Sequence, residues 1–255
     1  MEVGIKSENT KKPDRRRGKR RVSFVWPAPS VLLRCNVCFK PEGVCFCPEI
    51  EAISSPIDIV ILQHPSEARN PESTARLASL AWQGAEHIVG LSWPSLSKLL
   101  GKEVNPHEWA VLYLGTKKDS DSLVTEGTAL VSRAGESREA NRLKGLIFID
   151  GNWRQSKTLW WRNPWLNRLN RLVLQPKSAS QYSEARRQPR KECLSTIEAV
   201  GEAVSFLQRD DKAAIRMTGI LQTHLRRLRE VKQKLRHPVT PMTAVEESTA
   251  PDLDT

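Results

Sequence analysis

Four of the five cysteines fall within thirteen residues, Cys35-Asn36-Val37-Cys38 and then Cys45-Phe46-Cys47, a C-x2-C-x6-C-x-C spacing with Pro41 and Gly43 in the connecting turn. Four thiolates so placed can enclose one tetrahedral Zn²⁺, and the short gaps let each pair bend around the metal. Metal bonds would close a loop too short to carry an apolar core. A small structural zinc-binding segment over residues 30–50 is therefore expected. An iron–sulfur cluster is the rival that shares ligation by four cysteines, and a set of small buried hydrophobes is the plainest alternative. Cys193 stands far away in sequence, outside the metal set.

Three further groups stand where apolar runs stop. After Ile57 to Leu62 come Gln63-His64-Pro65-Ser66-Glu67-Ala68-Arg69. His64 offers an acid, a base or an RNA contact, and Glu67 with Arg69 can hold a polar ligand; a turn with a half-buried histidine would look the same. Leu114-Gly115-Thr116-Lys117-Lys118 combines a glycine, which permits close backbone approach, with positive charge. Leu146-Ile147-Phe148-Ile149-Asp150-Gly151-Asn152-Trp153-Arg154-Gln155 stops an apolar strand with Asp-Gly-Asn and continues as a helix. Asp150 is placed either as a helix-capping aspartate or as a catalytic carboxylate. Trp153, Trp160, Trp161 and Trp165 have helical spacing, which puts most of these rings in a core. Trp153, nearest the strand end, is the one positioned to stack on a base or a cation.

The elements that must position these groups alternate along the chain. Strands are predicted at 57–62, 87–91, 109–114, 146–149 and 172–174, and helices at 73–82, 95–100, 153–161, 195–208 and about 211–236. Near-continuous apolar strands alternating with helices predict an α/β fold, a mostly parallel sheet with flanking helices. In such a sheet ligands bind in the crevice outside the carboxyl ends of the strands, where all three polar groups fall. In the last helix Leu221, Leu225, Leu228, Val231 and Leu235 form one stripe. Arg226, Arg227, Arg229, Lys232, Lys234 and Arg236 crowd the other side, as an ordinary solvated face or an RNA-contact face.

The 255 residues carry 40 Lys plus Arg against 29 Asp plus Glu, a net charge of +11, with 39% hydrophobic residues. That composition excludes global disorder, and no repeat marks a coiled coil or collagen. No apolar run approaches a membrane span, and the N-terminus is charged where a secretory signal would be apolar, so neither membrane insertion nor secretion is expected. Residues 1–29 are predicted to be a disordered basic arm and 238–255 a disordered acidic tail, flanking a domain over 51–237. The arm is compatible with action in the nucleus, the cytoplasm or an organelle. The basic balance persists without the arm and makes nucleic acid the leading partner, against a merely solubilising surface.

Asp150-Gly151-Asn152-Trp153-Arg154-Gln155-Ser156, following the cysteine cluster and Gln63-His64-Pro65-Ser66-Glu67, resembles the DTW-domain family. So does Arg187-Gln188-Pro189-Arg190-Lys191-Glu192-Cys193-Leu194-Ser195-Thr196-Ile197-Glu198-Ala199. These motifs span about residues 35 to 207 in the family's order. Asn152 stands where the name-giving motif commonly has Thr, a conservative exchange of polar side chains.

The resemblance implies a SPOUT-like trefoil-knotted domain and a tRNA-uridine aminocarboxypropyltransferase. Such an enzyme takes S-adenosylmethionine as donor and tRNA as partner, with no obligate protein partner. It implies a donor pocket from the loops Gly115–Thr116, Asp150, Gly151, Asn152, Trp153 and Leu194, Ser195, Thr196. Asp150 and His64 would be the catalytic groups, and Glu67, Arg69, Arg154, Arg187 and Arg190 would hold the substrate. An RNA methyltransferase of the same fold, transfer to ribosomal RNA, and a non-enzymatic zinc-containing RNA-binding protein are the alternatives.

Overall fold

The computed structural model describes residues 24–27, 32–113, 128–176, 179–184 and 193–236. Its centre is a six-stranded sheet made of β1 (Asp58–Gln63), β2 (Glu86–Val89), β3 (Trp109–Tyr113), β4 (Ala129–Val131), β5 (Gly145–Asp150) and β6 (Asn170–Val173). The order is β2-β1-β5-β3-β6-β4, and every neighbouring pair is parallel except β4 with β6. Five strands fall where the apolar runs predict them. β4 went unpredicted because Ala129-Leu130-Val131 is too short to show a period.

β1 and β5 lie side by side at the middle of the sheet, in a register that runs from Asp58 opposite Gly145 to Gln63 opposite Asp150. Their side chains alternate between two cores. Ile59, Ile61, Leu146 and Phe148 face one, with α1 (Ala75–Leu80), α4 (Thr196–Gln208), α5 (Lys212–Arg236) and Cys38, Val44 and Phe46 of the cysteine segment. Val60, Leu62 and Ile147 face the other, with Leu96 of α2 (Leu96–Leu100), Trp165 and Leu166, and the half-buried Trp160 of α3 (Trp153–Arg162). Burial on both faces is why these strands read as unbroken apolar runs. Gly145 opens β5 because the Trp109 ring lies across it: a Cβ there would stand 2.4 Å from the indole.

The connections decide where a ligand can sit. The chain leaves β1 toward α1 on the first face and leaves β5 into α3 on the second. Adjacent parallel strands whose connections diverge define a topological switch point, and in open α/β sheets their carboxyl ends are where a ligand crevice is expected. Gln63 and Asp150 are the last residues of those two strands.

α1 is shorter than its apolar pattern, because Ser73 and Thr74 make side-chain contacts instead of helical turns. α4 and α5 form a hairpin joined by three residues, with Arg209 left-handed at φ 57°. Gly201 lets them meet, since a Cβ there would lie 2.9 Å from Met217 Cβ. Among the described residues, no helix is long and apolar enough to cross a membrane.

Candidate active site and cysteine centre

Asp150 is 8% exposed and held on both carboxylate oxygens. Gln63 Nε2 donates to Oδ2 at 2.8 Å, and the Thr196 hydroxyl donates to Oδ1. The backbone N–H of His64 extends the ladder to the Asp150 carbonyl at 3.0 Å. The Asp150 and Leu194–Thr196 segments, 46 residues apart in sequence, are thus bonded to each other.

A directed polar chain stands behind the carboxylate. The Gln63 carbonyl oxygen faces His87 Nε2 at 2.9 Å, and His87 Nδ1 faces an Arg76 guanidinium nitrogen at 3.2 Å. An amide oxygen can only accept and a guanidinium can only donate, so His87 must be the neutral tautomer with its proton on Nε2. Burial, with Arg76 and then Lys40 nearby, holds its pKa down at about 4. The ring therefore fixes which way the Gln63 amide points, and Gln63 donates to both Asp150 and Ser73 Oγ, the latter at 2.9 Å.

Gln63, His87, Arg76 and Ser73 were given no role by sequence reasoning. The available signal was Gln63 itself, a polar residue closing an otherwise apolar buried strand. His87 lay within a predicted strand, and only tertiary contact links it to Asp150.

Asn152 caps α3. Its side chain accepts from Gln155 N at 3.1 Å and Gln155 Oε1 accepts from Asn152 N at 2.6 Å, a reciprocal capping box. Asn and Thr both serve as N-caps, which accounts for the exchange in the motif. Gly151 lies tight against this turn, 2.8 Å from Gln155 Cβ for an added Cβ. Ser195 begins α4 beside Glu198, whose carboxylate takes bonds from Ser195 N, Ser195 Oγ, Ser180 Oγ and Gln181 N at 2.6–2.9 Å. Leu194 packs against the first core.

His64 caps the next turn, its Nδ1 accepting from Ser66 N at 3.2 Å, so the neutral ring presents N–H on Nε2. Glu67 is buried and bonded to Asn70 at 2.9 Å. Arg69 and Arg154 are exposed. Gly115, Thr116, Arg187 and Arg190 lie outside the described residues, as do nearly all of the predicted arm and the tail. One loop of the implied knot, Gly115–Thr116, is therefore not described, while the other two meet at Asp150 and Thr196.

Of the four tryptophans, Trp161 is the one that departs from expectation. Trp165 is buried, with its indole N–H bonded to the Trp93 carbonyl at 2.9 Å, and Trp160 is half-buried against Tyr113. Trp153 and Trp161 are 57% and 72% exposed. The pattern misled because α3 packs by a narrow face, and adjacent aromatics cannot both point inward.

The four cysteine sulfurs converge as their spacing predicts. All lie within 4.8 Å of one another, with Cys35–Cys47, Cys38–Cys45 and Cys45–Cys47 at 3.5 Å. A tetrahedron with Zn–S bonds of about 2.3 Å has edges of about 3.8 Å, so the set fits one ion. A multi-iron cluster would hold its thiolates on separate irons and so further apart. Phe39, left-handed at φ 57°, folds the chain back so that Cys35 N reaches the Lys40 carbonyl at 2.9 Å.

The Cys38 backbone pulls the Cys35 thiol down to about 6, while burial pushes Cys38 up to about 11 and Cys47 higher still. Thiols so crowded cannot all ionise alone, and a divalent cation removes the conflict.

The knuckle is also tied to the crevice wall. Lys40, buried, donates to the Ser73 carbonyl, Arg34 to the Arg69 carbonyl at 3.0 Å, and Arg76 to the Val37 carbonyl at 2.9 Å. From the other side Arg227 of α5 bonds the Cys45 carbonyl and Glu49, and Lys232 pairs with Glu72 at 2.6 Å. Arg227 and Lys232, on the basic side of α5, therefore clamp the protein itself. Trp26, within the predicted arm, donates to the same Glu72 at 3.3 Å.

These features define an open α/β protein with a buried polar cluster at the switch point of its sheet and a four-cysteine knuckle braced against the segment that follows β1. Within that class the chain belongs to the DTW domain family, whose profile matches residues 32–234. It is 29% identical over 200 residues to tRNA-uridine aminocarboxypropyltransferase 2 of Drosophila melanogaster, covering 75% of this chain and 72% of that protein. It is 27% and 25% identical to the proteins of that name from Macaca fascicularis and Mus musculus, over 69% of this chain in each case. The chain spans 57% of the length of each of these two. No solved structure matches it.

Proposed function

We propose that the chain is a tRNA-uridine aminocarboxypropyltransferase that moves the 3-amino-3-carboxypropyl group of S-adenosylmethionine to N3 of a tRNA uridine. The observation that carries this reading is the Thr196–Asp150 hydrogen bond at the switch point, which joins two family motifs into one crevice. The relatives' names and the basic surface supply the substrate class.

In the reaction a bond forms between uridine N3 and the γ-carbon while the S⁺–C bond breaks. Its electron pair stays on sulfur, releasing 5′-methylthioadenosine, and the N3 proton leaves to solvent. The sulfonium is already electrophilic, so the protein's task is orientation, which can lower a barrier by about 7–11 kcal/mol. Asp150 suits the orienting role better than that of a base. Donors on both oxygens hold it in place and favour the carboxylate over the acid that a base must become, and a fixed carboxylate there is a partner for the donor's ammonium group. His64, with N–H on Nε2, can donate to a uridine carbonyl oxygen.

Cys35, Cys38, Cys45 and Cys47 would hold one structural Zn²⁺, which supplies cross-linking of the knuckle and no chemistry at the crevice. The uridine must be unpaired, since pairing occupies N3.

The test is mass spectrometry of nucleosides from an unmodified tRNA transcript incubated with the protein and S-adenosylmethionine. The reading expects a uridine heavier by one aminocarboxypropyl group and an equal yield of 5′-methylthioadenosine. Unmodified uridine overturns it, and S-adenosylhomocysteine as the product replaces it with methyl transfer.

A further inference from the structure

The solvent face of α3 continues outward from Trp153 and Arg154, two residues implied for the donor and the substrate. Trp153, Lys157 and Trp161 recur every four residues, and with Arg154 they span an arc of about 100° on the helix. All four are exposed, Trp161 at 72%. A tryptophan contributes about 150–250 Å² of mostly apolar surface, so two exposed rings on one helix form a patch that scattered surface residues do not.

The charge around them is one-sided. From residue 151 to residue 183 the chain has six Lys or Arg and no Asp or Glu. Arg154, Lys157, Arg162 and Arg168 form no ion pair among the described residues.

Flat aromatic rings interleaved with unpaired cations match one ligand chemistry: nucleotides whose bases are open for stacking and whose phosphates run alongside. A duplex does not fit, because its bases are already stacked and its deep groove is closed to side chains. Position completes the match. α3 starts three residues after Asp150, and Trp161 lies about 12 Å further along its axis, so the platform leads away from the crevice.

We propose that this face of α3 is a stacking platform for the unpaired RNA nucleotides flanking the target uridine, with Trp161 as its principal base contact and Lys157 and Arg154 on the phosphates. The proposal rests on the RNA-substrate reading above and names the surface that holds that substrate.

The test compares binding of a short unstructured ribo-oligonucleotide and of an RNA duplex of equal length, by fluorescence anisotropy, to the full chain and to Trp161→Ala, Trp161→Phe and Lys157→Gln. Trp161→Ala should weaken single-strand binding between about 5- and 100-fold and change duplex binding less than twofold. Trp161→Phe should keep most of the affinity, and Lys157→Gln should lower the salt slope by about one. Calorimetry with S-adenosylmethionine should give the parent affinity for every variant, because neither Trp161 nor Lys157 belongs to the implied donor pocket.

Unchanged single-strand binding by Trp161→Ala overturns the proposal. So does an equal loss for duplex, or a parent that is dimeric by light scattering and becomes monomeric on Trp161→Ala, which makes the face an interface between copies. If Trp161→Ala loses donor binding through misfolding, Lys157→Gln decides: an unchanged salt slope overturns the proposal and a lowered one supports it. Failure of the enzymatic reading shows separately, as absence of modified uridine with the parent chain whatever the variants bind.

Discussion

Gln63 is where the chemistry of single residues turns. Its amide has two ends, and the neutral His87 ring decides which end meets Asp150. Protonating His87 would place a second N–H against the Arg76 guanidinium and take away the acceptor that Arg76 uses. With a folded pKa of about 4 against an ordinary value near 6.5, the unfolded chain takes up this proton at higher pH than the folded one. The stability His87 contributes is thus intact above about pH 6.5 and lost as pH falls toward 4, by on the order of 2 kcal/mol. Urea unfolding at pH 7 and pH 4.5 should show a loss for the native chain that is smaller for His87→Gln by that amount. At Asp150 the orienting role makes a kinetic distinction. Asp150→Asn removes a charge-assisted contact worth about 1.5–3 kcal/mol, so donor affinity measured by calorimetry should fall about 10- to 100-fold. Normal donor affinity with lost turnover would instead make Asp150 the base.

At the scale of elements, the knuckle and α5 brace the crevice from outside the sheet. Without a metal, the short segment around residues 32–50 has few other means of holding its shape, since Val37 and Phe39 are exposed and only Cys38, Val44 and Phe46 of its hydrophobic side chains are fully buried. The purified chain should contain one zinc per molecule by elemental analysis. Chelation should lower its unfolding temperature and, by loosening the Arg34, Lys40 and Arg76 contacts, speed amide exchange in the 69–76 segment. The α4–α5 hairpin is equally specific about volume. Gly201→Val would force side-chain atoms into Met217 and Ala214 and should cost about 1–3 kcal/mol in a denaturant titration. Asn152, by contrast, tolerates Thr because the requirement there is a cap and not a particular side chain.

Across the whole molecule, a net charge of +11 and the acid-free stretch from residue 151 to residue 183 favour attraction of a polyanion, as the proposed tRNA substrate requires. If four phosphates are neutralised, tRNA affinity should fall about a hundredfold between 50 and 200 mM salt, and filter binding over that range measures it. A flat response would remove phosphate contacts from the account.

How much of this was legible beforehand follows from the range of each interaction. Strand and helix periods, the Asn152 cap and the C-x2-C-x6-C-x-C spacing are local, so the amino-acid order alone determined, among the described residues, five of six strands, all five helices and the convergence of the four cysteines. The family motifs marked Asp150 and Thr196 without saying that they touch. The order of residues could not say that His87 would aim Gln63, that Lys40 would tie the knuckle to Ser73, or that Arg227 and Lys232 would turn inward while Trp153 and Trp161 turned out. Those outcomes depend on which strands become neighbours and which helix faces they cover. Only packing across dozens of intervening residues settles such contacts, because a polar side chain takes its partner from whatever the folded chain places within about 3 Å of it.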